Sequence, residues 1–81
     1  MEKKWKVYLL ECLDGSFYTG ITNDIEKRIK AHSSGKGSKY VAKKGVRRII
    51  AEKEMENRSV ASKAEYEIKQ LSREDKIKWF N

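Results

Sequence analysis

Two side chains of one predicted helix are suited to phosphate chemistry. Arg28 and His32 lie four residues apart, so both project from the same side of that helix. An arginine can present two parallel N–H donors to a phosphate, and a histidine can transfer a proton near neutral pH. The spacing alone favours a solvated arginine and a half-buried histidine. At the edge of a basic segment, the pair would also suit a scissile phosphate.

Two glutamates of a later helix, Glu65 and Glu67, flank its apolar stripe on opposite edges. Either one could face a cleft, and helical geometry does not choose between them. The simplest interpretation of each is a surface carboxylate. A single carboxylate at a buried edge is nevertheless what a one-metal phosphodiesterase needs, because Mg²⁺ often takes one or two carboxylates, several waters and the substrate phosphate.

Two tyrosines, Tyr8 and Tyr18, lie on adjacent predicted strands, and the hairpin register decides whether they share a face. If Asp14-Gly15 is a two-residue turn, Tyr8 pairs with Ile21 and the phenols lie on opposite faces. If the loop has three residues and ends in a left-handed glycine, Tyr8 pairs with Gly20 and both phenols lie on one face. These residues alone leave both registers open. If the two tyrosines share a site, Tyr8 should pair with Gly20, whose missing side chain would leave room beside the phenol.

The net charge of +7 is concentrated in one segment of the chain. Residues 27–51 carry nine lysines and arginines and no acidic residue, whereas residues 52–81 carry seven of each sign. Residues 1–26 carry three basic and five acidic residues. A solvated lysine-rich face is one explanation. We favour a polyanion-binding surface, because no acidic residue interrupts the segment.

Length and composition exclude several classes of protein. A chain of 81 residues is enough for one domain with one small core. No run of 18 apolar residues is present, so we expect no membrane span, and Glu11 and Asp14 interrupt the only segment that is similar to an export signal. The single cysteine, Cys12, excludes an internal disulfide and fits a reducing cytoplasm.

The elements that must position these residues form an α+β domain over residues 1–81. We expect a small three-stranded antiparallel sheet flanked by helices, in the order β-β-α-β-α-α. Asn23 or Asp24 should cap the first helix, and Ser59 should cap the second. The strands are predicted at Trp5 to Cys12, Ser16 to Thr22 and Val46 to Met55. A short last helix should begin at Ser72. The segment from Gly35 to Gly45 is predicted as a loop, either with or without a short helical turn at Lys39 to Lys44.

Taken together in this order and spacing, five segments resemble the GIY-YIG nuclease superfamily, most closely its small stand-alone (URI-type) members. These segments cover nearly the whole chain and read KVYLLEC, DGSFYTGIT, DIEKRIKAH, GKGSKY and ASKAEYEIKQLSR. The first signature strand has Lys6-Val7-Tyr8 in place of Gly-Ile-Tyr. The second has Tyr18-Thr19-Gly20 in place of Tyr-Ile-Gly, so Gly20 is expected to have a structural role at the site.

The resemblance implies a metal-dependent endonuclease. It matches the family's helix arginine to Arg28, its following His or Tyr to His32, and its metal-binding glutamate to Glu65, which chooses Glu65 over Glu67. One Mg²⁺ or Mn²⁺ would be held by Glu65. Tyr8, Tyr18 and His32 would orient or deprotonate the attacking water, and the sequence does not say which is the base. A tyrosine base would need its pKa lowered by Arg28 or the metal.

The expected partner is DNA, structured or single-stranded, in repair or recombination, with RNA as the alternative. We expect a monomer. Contacts with the nucleic-acid backbone are predicted for Lys36, Lys39, Tyr40, Lys43 and Lys44. The rival hypothesis is a non-catalytic nucleic-acid-binding module of the same fold, and a third is a protein-interaction domain whose basic segment is only solvated.

Overall fold

The strands and helices follow the predicted order, and the helical turn considered at Lys39 to Lys44 is formed as a short helix. The computed structural model describes residues 4–35 and 37–81. Its elements are β1 (Trp5–Cys12), β2 (Phe17–Thr22), α1 (Ile25–Ser33), α2 (Lys39–Lys44), β3 (Val46–Met55), α3 (Arg58–Lys69) and α4 (Arg73–Trp79). The antiparallel sheet has the order β2-β1-β3, which confirms the predicted α+β class. Among the described residues, no helix is long and apolar enough to cross a membrane.

The β1–β2 hairpin has the register of the three-residue loop. Tyr8 pairs with Gly20, so the predicted register is confirmed. Gly15 has a φ of 87°, a left-handed conformation that glycine adopts without steric cost. The carboxylate of Asp14 accepts hydrogen bonds from the backbone N–H of Ser16 at 3.0 Å and from its hydroxyl at 2.6 Å. Turn chemistry therefore sets the register, and the register sets which face each tyrosine occupies.

Helices cover both faces of the sheet, so β1 is buried on both sides. On one face, Tyr8 packs in a cluster with Val41 of α2 and Ile25 of α1. On the other face, Val7 packs with Ile68 of α3. Each such buried side chain contributes roughly 1.5–3 kcal/mol of transfer free energy. Tyr8 thus belongs to the α1–α2 layer, whereas α3 belongs to the opposite layer.

The two long helices that carry candidate residues both begin at a capped position. The side chain of Asp24 caps α1 by accepting a hydrogen bond from the backbone N–H of Lys27 at 3.2 Å. The predicted cap of α3, Ser59, is wrong, because Asn57 caps this helix by accepting from the backbone N–H of Val60 at 2.9 Å. Serine and asparagine suit this position about equally, so local sequence alone does not choose between them.

Candidate active site

Tyr8 lies at the centre of the candidate site. Its side chain is 1% exposed, and its hydroxyl lies 2.9 Å from Nε2 of His32. The ring of Tyr18 is in edge contact with His32, with centroids 5.6 Å apart, and lies 6.4 Å from the ring of Tyr8. Strands β1 and β2 and helix α1 therefore bring three of the predicted residues together.

Gly20 leaves the space that the phenol of Tyr8 occupies. A Cβ at this position would lie 2.6 Å from Cζ of Tyr8, still nearer to its hydroxyl, and 3.0 Å from Cε2 of Tyr18. Such distances are shorter than non-bonded carbon contacts, which are favourable near 3.5–4.0 Å. A glycine is therefore required at this position of β2, because the side chain of Tyr8, from the neighbouring strand β1, lies directly against it, as the sequence predicted.

Gly37 has the same relation to His32. A Cβ at Gly37 would lie 2.7 Å from Cε1 of the imidazole and nearer still to Nδ1. His32 is 3% exposed, and within the described part of the chain its Nδ1 has no hydrogen-bond partner. Gly37 thus lies directly against the ring, and no carboxylate among the described residues stabilises an imidazolium there.

Burial sets the protonation states of the Tyr8–His32 pair. Burial and the neighbouring Tyr18 raise the pKa of Tyr8 well above that of a free phenol. Burial and the positive charge of Arg28 lower the pKa of His32 below its usual value of 6.5. Both groups are therefore neutral at pH 7. Arg28 does act to lower the pKa of Tyr8, but burial outweighs it, so Arg28 alone does not make Tyr8 a base.

Arg28 and Glu65 approach Tyr8 from different layers of the fold. The charge of Arg28 lowers the pKa of Tyr8 and the charge of Glu65 raises it, so both lie within electrostatic reach of the phenol. Arg28 is exposed on α1 and lines a cleft of about 260 Å³ together with Thr22 and Lys27. Glu65 belongs to α3, which packs against β1 and β2. Tyr8, Tyr18 and His32 are in mutual contact, whereas Arg28 and Glu65 are linked to Tyr8 through their charges. The catalytic roles of all five residues stay predictions.

Glu65 is more buried than Glu67, the other candidate metal ligand of α3. Its side chain is 25% exposed and its Oε2 lies 3.7 Å from Nζ of Lys69, whereas Glu67 is exposed on the outer side of α3. Over residues 4–35 and 37–81, no group of three or more His, Cys, Asp or Glu side chains could hold a metal. One carboxylate does not fit a structural zinc site, but it does fit Mg²⁺ or Mn²⁺ that keeps water ligands and binds substrate phosphate.

Tyr40 is connected to the site by ring stacking. Its ring lies 6.1 Å from that of Tyr18, with an angle of 25° between the planes. The ammonium group of Lys44 lies 5.3 Å from the centroid of the Tyr40 ring and 2.6 Å from Oδ2 of Asp14. Lys44 therefore ties α2 to the hairpin turn, which leaves it less available for phosphate than the sequence predicts.

The remaining predicted phosphate contacts are placed as follows. Lys39 and Lys43 are exposed on α2, beside the site, where they could reach a phosphate backbone. Lys36 lies outside the described residues. All three stay predictions, because exposure alone does not establish a contact.

Three residues near the site were missed by the sequence reasoning: Gly37, Lys69 and Lys76. Gly37 lies in the stretch Gly35-Lys36-Gly37 between two helices, and a glycine there could have indicated a close approach. Lys69 follows Glu65 by one helical turn, which is a detectable spacing. Lys76 reaches the site only because α4 docks there, so no local signal marks it.

Comparison with known proteins identifies the fold family. The family model of the GIY-YIG catalytic domain matches residues 4–78. The chain belongs to the GIY-YIG catalytic domain family. This GIY-YIG chain is 50% identical over 70 residues to a UPF0213 protein of Halalkalibacterium halodurans, covering 86% of this chain and 74% of that protein. It is 44% identical over 78 residues to a UPF0213 protein of Oceanobacillus iheyensis, covering 96% and 91%.

A solved structure supports the same assignment. The solution NMR structure of a protein from E. faecalis matches with a TM-score of 0.66 at 40% identity, covering 98% of this chain and 86% of that chain. The predicted resemblance is thus confirmed. GIY-YIG domains form a nuclease superfamily, which points to nucleic acid as the substrate class. The UPF0213 designation itself names no reaction.

Proposed function

We propose that this GIY-YIG domain is a divalent-metal-dependent phosphodiesterase that cleaves DNA. The observation that supports it most is the convergence of a buried Tyr8–His32 hydrogen bond with the charges of Arg28 and Glu65. A buried polar pair beside an exposed arginine and a half-buried carboxylate is costly to maintain and is typical of a reaction site. Single-stranded or branched DNA, as formed in repair and recombination, is the proposed substrate.

The charged residues divide the phosphate chemistry between them. Arg28 would bind the non-bridging phosphate oxygens and stabilise the charge that builds up in the transition state. Glu65 would hold Mg²⁺ or Mn²⁺, which when bound supplies polarisation of a phosphate oxygen. The scissile phosphate would then be bound by Arg28 and by the metal ion that Glu65 holds.

The Tyr8–His32 pair would carry the proton of the attacking water. At pH 7 the phenol is neutral and cannot act alone as a base, because its pKa is raised. It can take the water proton only while it gives its own proton to Nε2 of His32, 2.9 Å away. His32 is then the final acceptor, and Tyr18 orients the pair through its ring contacts with both groups.

A cleavage assay tests this function. Labelled single-stranded, nicked and branched DNAs are incubated with the protein and Mg²⁺, Mn²⁺ or EDTA. We expect cleavage of at least one substrate with metal and none with EDTA. Tight binding without cleavage of any substrate would instead support a non-catalytic nucleic-acid-binding module. Binding that ignores salt between about 50 and 200 mM would contradict both, because phosphate contacts impose a steep salt dependence.

A further inference from the structure

A groove lies at the beginning of β2, beside the candidate active site. Its volume is about 230 Å³, below the roughly 300–1,000 Å³ of pockets for drug-sized ligands. It therefore suits one small planar group rather than a whole cofactor. Its lining comes from β2, α2, α3 and α4: Phe17, Tyr18, Thr19, Tyr40, Lys69 and Lys76.

Aromatic rings form one wall of this groove. Tyr18 and Tyr40 stack with centroids 6.1 Å apart, and Tyr40 is 40% exposed. Tyr40 therefore keeps an exposed ring surface, and a base that stacks on it would lie beside the ammonium group of Lys44, 5.3 Å from the ring centroid. Phe17 lines the same groove and is covered by the guanidinium group of Arg73, which lies 3.9 Å from its centroid. Stacking on such rings is the usual way in which proteins hold unpaired bases.

Two lysines give the groove a positive charge. Within the described part of the chain, Lys69 forms an ion pair with Glu65 at 3.7 Å, a distance too long for a hydrogen bond. Lys76 is half-buried and forms no ion pair within the described part of the chain. No acidic residue is among those that line the groove. A ligand that joins a planar ring to a phosphate complements both walls.

The backbone of β2 is open to a ligand at this groove, whereas the hydroxyl of Thr19 is not. Thr19 is 3% exposed and its Oγ1 is fully buried. Strand β2 is an edge of the sheet, so alternate backbone N–H and C=O groups face away from β1. A nucleobase edge carries donors and acceptors that could pair with such groups.

We propose that this groove is a nucleobase subsite, in which the base of a nucleotide next to the scissile phosphate stacks on Tyr40 and Lys76 binds its phosphate. The subsite adjoins the candidate active site because Tyr18 belongs to both, and because Lys69 lies one helical turn from Glu65. A base can enter only when it is unstacked from a duplex. This inference rests on the proposed function, since it assumes a nucleic-acid ligand.

The test compares two single-stranded oligomers of equal length and charge, one of thymidine nucleotides and one of abasic nucleotides. Their dissociation constants are measured by fluorescence anisotropy at one salt concentration, without divalent metal. We expect tighter binding of the thymidine oligomer. Tyr40→Ala should weaken that binding by about fivefold or more and leave the abasic oligomer nearly unaffected. Tyr40→Leu, which keeps the apolar contact, should give the same loss.

Matched variants separate stacking from charge. Tyr66→Ala removes a tyrosine that is 71% exposed on α3 and lines no part of the groove, and it should leave both affinities unchanged. Lys76→Ala should weaken both oligomers alike, whereas Lys78→Ala should weaken neither. Equal binding of the two oligomers by the unmodified protein, or an unchanged preference in Tyr40→Ala, would overturn the subsite alone. If neither oligomer binds, both the nucleic-acid function and the subsite would be overturned.

Discussion

Replacing Gly20 by alanine should displace Tyr8 from His32. The new Cβ would lie 2.6 Å from Cζ of Tyr8, roughly 1 Å inside a normal contact. Tyr8 is 1% exposed and packed within the α1–α2 layer, so its ring cannot move outward without opening that layer. Either the phenol leaves its hydrogen bond with His32 or β2 shifts away from β1.

The expected cost follows from three contributions. Overpacking of a buried site costs about 1–3 kcal/mol, and the lost hydrogen bond adds about 1 kcal/mol. Alanine in a strand recovers roughly 0.5–1 kcal/mol relative to glycine. The free energy of unfolding of Gly20→Ala should therefore fall by about 1–3.5 kcal/mol. For a domain of this size, each kcal/mol lowers Tm by about 4–8 °C.

Urea unfolding monitored by tryptophan fluorescence measures this change in the free energy of unfolding. The same substitution is also made in the Tyr8→Phe variant, to test whether the contact with Tyr8 causes the change. In Tyr8→Phe, which lacks the hydroxyl nearest to the new Cβ, Gly20→Ala should cost at least about 0.5 kcal/mol less. Gly35→Ala is the control, because a Cβ there meets nothing within 4 Å and its cost arises only from a φ of 78°. An equal cost of Gly20→Ala in both backgrounds would refute the contact with Tyr8.

Three further predictions concern pH, salt and helix capping. The pKa of His32 is lower in the folded state than in the unfolded state. Its stabilising contribution is therefore present above about pH 6.5 and is lost as pH falls through the lowered value. Between pH 7.5 and pH 5, the free energy of unfolding measured in urea should fall less for His32→Gln than for the unmodified protein. In a salt titration of single-stranded DNA binding, Lys43→Ala should reduce the slope of log K against log salt concentration by about 0.7. Lys44→Ala should reduce this slope less, because Lys44 is paired with Asp14. Equal reductions would contradict the different roles given to the two lysines. Asn57→Ala should lower the free energy of unfolding by about 0.5–2 kcal/mol, whereas Ser59→Ala should change it little. If Ser59→Ala were the less stable variant in thermal unfolding, the cap at Asn57 would be contradicted.

The hairpin was predictable because its determinants are local. Asp14 and Gly15 place a tight turn, and Gly20 favours the loop length that sets it opposite Tyr8. The period of two in a strand then places Tyr8 and Tyr18 on one face. Gly20 could be assigned a role for the same reason. Residues within one hairpin thus carry enough information to predict half of the candidate site.

The other half depends on contacts between elements that are distant in sequence. The helical wheel left Glu65 and Glu67 equivalent, since only the docking of α3 beside β2 distinguishes them. The burial of His32 could not be read from α1 alone, because Gly37 and Tyr8 enclose its ring. The raised pKa of Tyr8 follows from that same enclosure, so the identity of the base could not be inferred from spacing.

The central claim is that the residues around Tyr8 form a metal-dependent phosphodiesterase site with Glu65 as the metal ligand. The most direct measurement is the rate of Mg²⁺- or Mn²⁺-dependent DNA cleavage by the unmodified protein, Glu65→Gln and Glu67→Gln, together with DNA affinity in EDTA. We predict that Glu65→Gln abolishes cleavage but still binds DNA, and that Glu67→Gln, altered two residues away on the same helix, cleaves normally. Cleavage by Glu65→Gln at the unmodified rate would contradict the claim.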